Sequence, residues 1–226
     1  YRVPVLINGE PVTLTASDIW KWSTAQQMQL PLELETMDET YPQLGGWLVE
    51  NGQPGVLLSS LGINGATIDM LDKWGPGWQT PIQALQPDLL ILSYGTNEAF
   101  NDDLDSGDYY AALTRRIQLL REQQPQAALL IIGAPDVIKH SSAETCEGRR
   151  PVQLSNVQAI QRQVAREQQT LFWDWQGMMG GSYSFSDWQG RGLAQKDGVH
   201  FTSNGYKASA HALYQDLEQH IEDLDE

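Results

Sequence analysis

From Gly55 onward, short apolar runs alternate with longer stretches of helical period, and this alternation limits the fold more than any other feature of the chain. Leu89 to Leu92, Ala127 to Ile132 and Leu171-Phe172-Trp173 are runs of strand length. Between them, Leu113, Ile117 and Leu120 share one face of a helix predicted over Tyr109 to Arg121. Val157, Ile160 and Val164 share one face of a second, over Val152 to Glu167. A shorter helix is expected through Ile68, Met70 and Leu71, and a final one after Asn204-Gly205, through Ala208 and Leu217. Strands that read as unbroken apolar runs are covered on both faces. The pattern therefore predicts an α/β fold, a parallel sheet with helices on either side. Functional loops of such a sheet lie at the carboxyl ends of its strands. Here these are the loops at Gly62 to Gly65, Gly95 to Asn97 and Gly133-Ala134-Pro135-Asp136.

Residues 1 to 54 follow a different period. Val3, Val5 and Ile7 alternate with other residues, Asn8-Gly9 makes a hairpin turn, and Val12 and Leu14 alternate again. Leu30, Leu32 and Leu34 continue the alternation, and Trp47-Leu48-Val49 follows Gly45-Gly46. These predict antiparallel strands of a β-sandwich, a domain separate from residues 55–226. Fifty-odd residues make a poor sandwich by themselves. The chain also opens in mid-pattern without an initiator Met, so it is expected to be a segment of a longer protein with strand partners upstream.

The bulk composition excludes several functions. At 226 residues with 41% hydrophobic side chains, the chain can bury a core. Its 14 basic and 29 acidic residues give a net charge of −15, which disfavours nucleic acid and anionic membrane surfaces as partners. No apolar run approaches a transmembrane segment. The lone cysteine, Cys146, allows no internal disulfide.

Three short segments carry chemistry. In Asp197-Gly198-Val199-His200 a carboxylate and an imidazole stand three residues apart, within hydrogen-bond reach across one turn. Asp197 can orient His200, which then removes a hydroxyl proton. The other reading is a surface loop ahead of a helix cap at Thr202 or Ser203. In Gly95-Thr96-Asn97-Glu98 a strand delivers the Asn97 amide to the sheet edge, as an oxyanion donor or merely as a helix cap. In Gly62-Ile63-Asn64-Gly65 a glycine turn exposes a backbone N–H to the same oxyanion. The nucleophile is missing: Ser59, Ser60 and Ser93 lie in no Gly-x-Ser-x-Gly or Gly-Asp-Ser setting. Residues 101–108 are acidic but fail as an EF-hand, with Ser106 where glycine is required and Ala112 where glutamate is. His140, His211 and His220 show no metal-ligand spacing.

Gly62-Ile63-Asn64-Gly65, Gly95-Thr96-Asn97 and Asp197-Gly198-Val199-His200, in that order, resemble the second, third and fifth blocks of the SGNH (GDSL-like) hydrolase superfamily. By register, Gly65 resembles the oxyanion-hole glycine. Ser60 to Ala66, Tyr94 to Ala99, Phe172 to Trp175, Met179-Gly180-Gly181 and Ala194 to His200 are similar to the peptidoglycan O-acetylesterases of Gram-negative bacteria, the Ape family. The resemblance covers roughly Gly55 to Leu217.

It implies a three-layer α/β/α hydrolase domain over 55–226, preceded by the end of a carbohydrate-binding-module-like sandwich over 1–54. It implies a serine esterase acting on an O-acetylated cell-wall glycan, with His200, Asp197, Asn97 and Gly65 in the site and no cofactor. The first family block, Gly-Asp-Ser, is not matched, so the nucleophilic serine and its central strand are expected on an N-terminal fragment of the same polypeptide. This chain alone is then expected to be inactive. The resemblance also implies the periplasm or outer membrane. A glycan O-acetyltransferase on the same fold and a non-catalytic carbohydrate-binding protein are the alternatives.

Overall fold

The computed structural model describes residues 2–225 apart from Ala16, Trp20, residues 24–26 and 38–42, Pro76 and Ser141. The chain divides into two units, one of Tyr1–Gly62 with Lys73–Pro87, the other of Ile63–Asp72 with Asp88–Glu226.

The first unit is built on a hairpin. Strands β1 (Arg2–Ile7) and β2 (Glu10–Thr15) pair antiparallel, with Val5 opposite Val12 and Ile7 opposite Glu10. Asn8 and Gly9 both take positive φ, 52° and 80°, as a two-residue hairpin turn of matching twist requires. A third strand, β3 (Leu34–Thr36), pairs with the other edge of β1, giving the order β2-β1-β3. The alternation expected from Leu30 yields only these three residues. Pro31 has no N–H to give a ladder, and Glu33 is spent elsewhere: Asn8 Oδ1 accepts from its N–H at 2.7 Å, and its carbonyl accepts from the Asn8 N–H at 2.8 Å. Trp47-Leu48-Val49, also expected as a strand, forms none and is exposed along its length. Alternation cannot make a strand without a neighbouring edge to pair with. A short helix, α1 (Gln79–Leu85), completes the unit, and Trp22 Nε1 donates to Pro81 O at 3.3 Å.

The second unit holds the predicted α/β pattern. Strands β4 (Leu89–Leu92), β5 (Ala128–Ile132) and β6 (Leu171–Trp173) form a parallel sheet in that order. Leu90 lies opposite Leu129, and Ile131 opposite Phe172. The crossovers contain α2 (Thr96–Ala99) and α3 (Ser106–Gln123) after β4, and α4 (Cys146–Arg149) and α5 (Leu154–Glu167) after β5. After β6 come α6 (Trp175–Met179), α7 (Phe185–Gly190) and the long α8 (Ser203–Asp225). No helix among the described residues is long and apolar enough to cross a membrane.

Helix periodicity explains the core. Tyr109, Leu113, Ile117 and Leu120 of α3 are buried at spacings of three and four, as are Leu154, Val157, Gln161 and Val164 of α5, and the two helices pack together. Each fully buried Leu or Val contributes about 1.5–3 kcal/mol by leaving water. The acidic stretch before α3 serves as a cap: Asp105 accepts from the N–H of Asp108 at 2.9 Å. Helix α5 starts two residues later than expected because Pro151 and Val152 lie in the turn ahead of it. The last helix starts earlier than expected, with Asn204 and Gly205 inside its first turn. Thr202 caps it, its Oγ1 accepting from the Gly205 N–H at 3.2 Å and its carbonyl from the Tyr206 N–H at 2.9 Å.

Candidate active site

Asp197 and His200 sit in a tight turn between Ala194 and Phe201, which bridge antiparallel across its neck. Asp197 Oδ1 accepts from the N–H groups of Val199 and His200, each at 2.9 Å. Oδ2 lies 2.9 Å from His200 Nδ1. Burial pushes the Asp197 carboxyl up, but the two N–H groups and the imidazole outweigh it and hold it below its ordinary value of 3.8. An ionised carboxylate only accepts, so Nδ1 carries a proton, and in the neutral ring Nε2 presents its lone pair. Nε2 has no hydrogen-bond partner among the described residues, and the ring is largely exposed. The arrangement is a base ready to take a proton.

The lowered pKa fixes the sign of a pH effect. A carboxyl with a depressed folded pKa stabilises the fold above its unfolded pKa, and that contribution is lost as pH falls through the folded value. Asp197→Asn is therefore expected to unfold at lower urea than the parent protein at pH 5–7. The two curves are expected to converge below about pH 3, which urea titrations across that range would check.

Gly198 makes this turn possible. It has φ +86°, and a Cβ there would stand 2.5 Å from Ile138 O. The close approach lets Ile138 N–H donate to Gly198 O at 2.7 Å. Ile138 belongs to the loop that follows β5, so the Asp197–His200 turn is pinned to the carboxyl end of the sheet.

Asn97 lies on α2, directly after β4, and is exposed. Its Nδ2 donates one hydrogen to Ala66 O at 2.9 Å, leaving its second amide hydrogen for another acceptor. Ala66 adjoins Gly65, which has φ +75° and an N–H with no partner among the described residues. The two expected oxyanion donors are thus joined by a hydrogen bond. Asn97 and His200 are not bonded to each other. Both attach to the loop after β5, His200 through the Gly198–Ile138 bond and α2 through Lys139 Nζ, which donates to Phe100 O at 2.8 Å.

Three buried polar residues hold these loops together, and sequence reasoning assigned none of them a role. Glu98 accepts from Gly95 N–H at 2.8 Å and Ile68 N–H at 2.7 Å. Gln161 of α5 donates to Tyr94 O at 2.7 Å and accepts from Ala134 N–H at 2.9 Å, joining the loops after β4 and β5. Asp136 accepts from Arg150 Nε and from Phe185 N–H, both at 3.0 Å, and so fixes the β5 loop to α7. The signal for Gln161 was present: it is a polar residue in the apolar stripe of α5. Gly95, φ +115°, is needed because a Cβ would lie 2.6 Å from Gln161 Nε2.

The aromatic residues near the site are mostly packing. Trp173, Trp188 and Met179 are buried, and Trp175 stacks on Phe201 with ring centroids 5.0 Å apart. No hydroxyl among the described residues is hydrogen-bonded to His200 Nε2, and Ser93 lies exposed at the end of β4. No cluster of three or more His, Cys, Asp or Glu residues suited to a metal occurs among the described residues.

Comparisons with known proteins bear on the fold and the family. A solved peptidoglycan O-acetylesterase superposes with a TM-score of 0.81 at 34% identity, over 98% of this chain and 61% of that one. This chain therefore spans about three-fifths of the length of that enzyme. A lipase/acylhydrolase from Enterococcus faecalis gives a TM-score of 0.51 at 16% identity, over 69% of this chain and 72% of that one. An acetyl xylan esterase gives 0.50 at 17% identity, over 68% and 77%. These last two likenesses speak for the fold alone. No curated protein sequence matches the chain. The profile of the GDSL-like lipase/acylhydrolase family matches residues 23–208, most of the chain, and the chain belongs to that family.

Proposed function

We propose that this chain carries the base and the oxyanion donors of a serine esterase that removes O-acetyl groups from peptidoglycan. The observation that carries the reading is the Asp197–His200 couple, with Nδ1 held at 2.9 Å and Nε2 free, on a turn tied to the loops of Asn97 and Gly65. His200 Nε2 takes the proton of a serine hydroxyl as that oxygen attacks the acetyl carbonyl. Asn97 Nδ2–H and Gly65 N–H hold the oxyanion. His200 returns its proton to the departing sugar oxygen, and water then releases acetate from the acetyl-serine by the same steps reversed.

The substrate class is supported by the 34% identity, along 98% of this chain, to a peptidoglycan O-acetylesterase. We read the serine as supplied by an N-terminal part of the same polypeptide, and residues 1–54 as the end of a carbohydrate-binding-like sandwich. Among the described residues β4 pairs only with β5, and its central Ile91 is 40% exposed. A serine-bearing strand pairing along β4 would cover that residue and end near Asn97. The compartment that fits the substrate is the periplasm or outer membrane.

The test uses the intact protein with p-nitrophenyl acetate and with O-acetylated peptidoglycan. The expected result is free acetate from both. Acetate appearing on a second glycan would make the protein a transferase. Glycan binding with no loss of acetyl groups would make it a carbohydrate-binding protein and end the esterase reading.

A further inference from the structure

We propose that Glu98 is a positioning residue for the oxyanion hole: its ionised carboxylate, bridging Gly95 N–H and Ile68 N–H, sets the spacing between Asn97 and Gly65. The inference rests on the esterase reading above and concerns a residue with no place in its chemistry.

The geometry is specific. Glu98 follows Asn97 on α2 and is 3% exposed. One oxygen accepts at 2.8 Å from Gly95, which opens α2, and the other at 2.7 Å from Ile68, which opens the turn of 3-10 helix just after Gly65-Ala66-Thr67. With the Asn97–Ala66 bond, three hydrogen bonds close a ring around the two donors. Each oxyanion donor acts only if it stands about 2.7–3.1 Å from where the charge develops, so the ring fixes the quantity that matters.

The choice of residue is costly. Glu98 has no cationic partner within salt-bridge distance among the described residues, since buried Arg116 pairs with Asp72 instead. Asp69, Tyr94 and Tyr109 are the titratable groups that interact with it, and Arg116 acts on Tyr94. Burial pushes its carboxyl above the ordinary 4.5, its backbone hydrogen bonds partly offset this, and Asp69 adds to the rise. A raised folded pKa means that the ionised group weakens the fold as pH climbs through that value. A helix cap chosen for stability would avoid such a charge. Only a carboxylate, however, offers both N–H groups an acceptor; an amide at the same place turns a donor toward one of them.

Steady-state kinetics of the intact protein on p-nitrophenyl acetate, with unfolding midpoints at pH 7, tests this in Glu98→Gln, Glu98→Asp and Asn97→Ala. Glu98→Gln is expected to lower kcat roughly 10- to 100-fold, somewhat less than deleting a donor outright, with KM changed less than about threefold. Glu98→Asp keeps the charge but is one methylene too short to reach both N–H groups, and is expected to lose kcat comparably. Should Glu98→Gln fail to fold, Glu98→Asp carries the test. Full kcat in either folded variant, alongside a loss in Asn97→Ala, would overturn the role of Glu98 and leave the esterase reading standing. Full kcat in Asn97→Ala would overturn the oxyanion assignment itself.

Discussion

Replacing His200 with alanine in the intact protein is expected to lower turnover of p-nitrophenyl acetate by roughly 10⁴-fold or more, about 5.5 kcal/mol of barrier. A serine hydroxyl is a weak nucleophile until a base takes its proton, and in the proposed mechanism that base is His200, whose Nδ1 is held by Asp197 while Nε2 has no partner among the described residues. The couple is assembled locally, within four residues, by two backbone N–H bonds and one ring bond to Asp197. Alanine at 200 leaves the Asp197 turn, including the His200 N–H bond, in place, so the fold is expected to survive. Residual activity then reports what the Asn97 and Gly65 donors contribute without a base. A variant that retained parental turnover would show that another group removes the proton, and the proposed mechanism would fall.

Gly205→Ala is expected to cost about 3 kcal/mol of stability or more and to lower the melting temperature by roughly 6–12 °C. Gly205 lies in the first turn of α8, where a Cβ would stand 1.9 Å from Leu193 O, 2.9 Å from Leu193 C and 3.1 Å from Phe201 Cβ. Two of these are backbone atoms, which cannot swing aside as a side chain would. Leu193 O also accepts from Thr202 N–H at 2.9 Å, and Thr202 Oγ1 donates to Gly192 O at 2.8 Å. The helix start, the bend at Leu193 and the neck of the Asp197–His200 turn thus share one contact. Forcing α8 outward displaces His200 as well, so activity is expected to fall along with the melting temperature. A thermal melt within about 2 °C of the parent would mean that the helix start shifts freely and that this contact does not fix the turn.

The parts of the molecule legible in the sequence are those governed by local rules. β4, β5 and β6 fall within one residue of the apolar runs that announce them, and α3 and α5 follow their period of 3.6. Asp197 and His200 are near neighbours in the chain, so three residues of spacing already imply their contact. The Asn8-Gly9 hairpin is likewise a property of a dipeptide. Expectation failed where structure needs a distant partner. Leu30 to Leu34 and Trp47 to Val49 have the composition of strands, but a strand exists only when another edge accepts its hydrogen bonds.

Periodicity determined the parallel α/β core and the strand end that delivers the Asn97 loop, and spacing alone brought Asp197 to His200; the Gly62–Gly65 loop, expected at a strand's carboxyl end, follows no strand among the described residues. Tertiary structure alone decided how the site is held. Glu98 reaches Ile68 across 30 positions, Gln161 reaches Tyr94 across 67, and Asp136 reaches Phe185 across 49. In each case the partner is a backbone amide or carbonyl, which every residue possesses and no side chain advertises. A buried polar side chain must find such a partner, but only the packing of the helices against the sheet determines which one it meets.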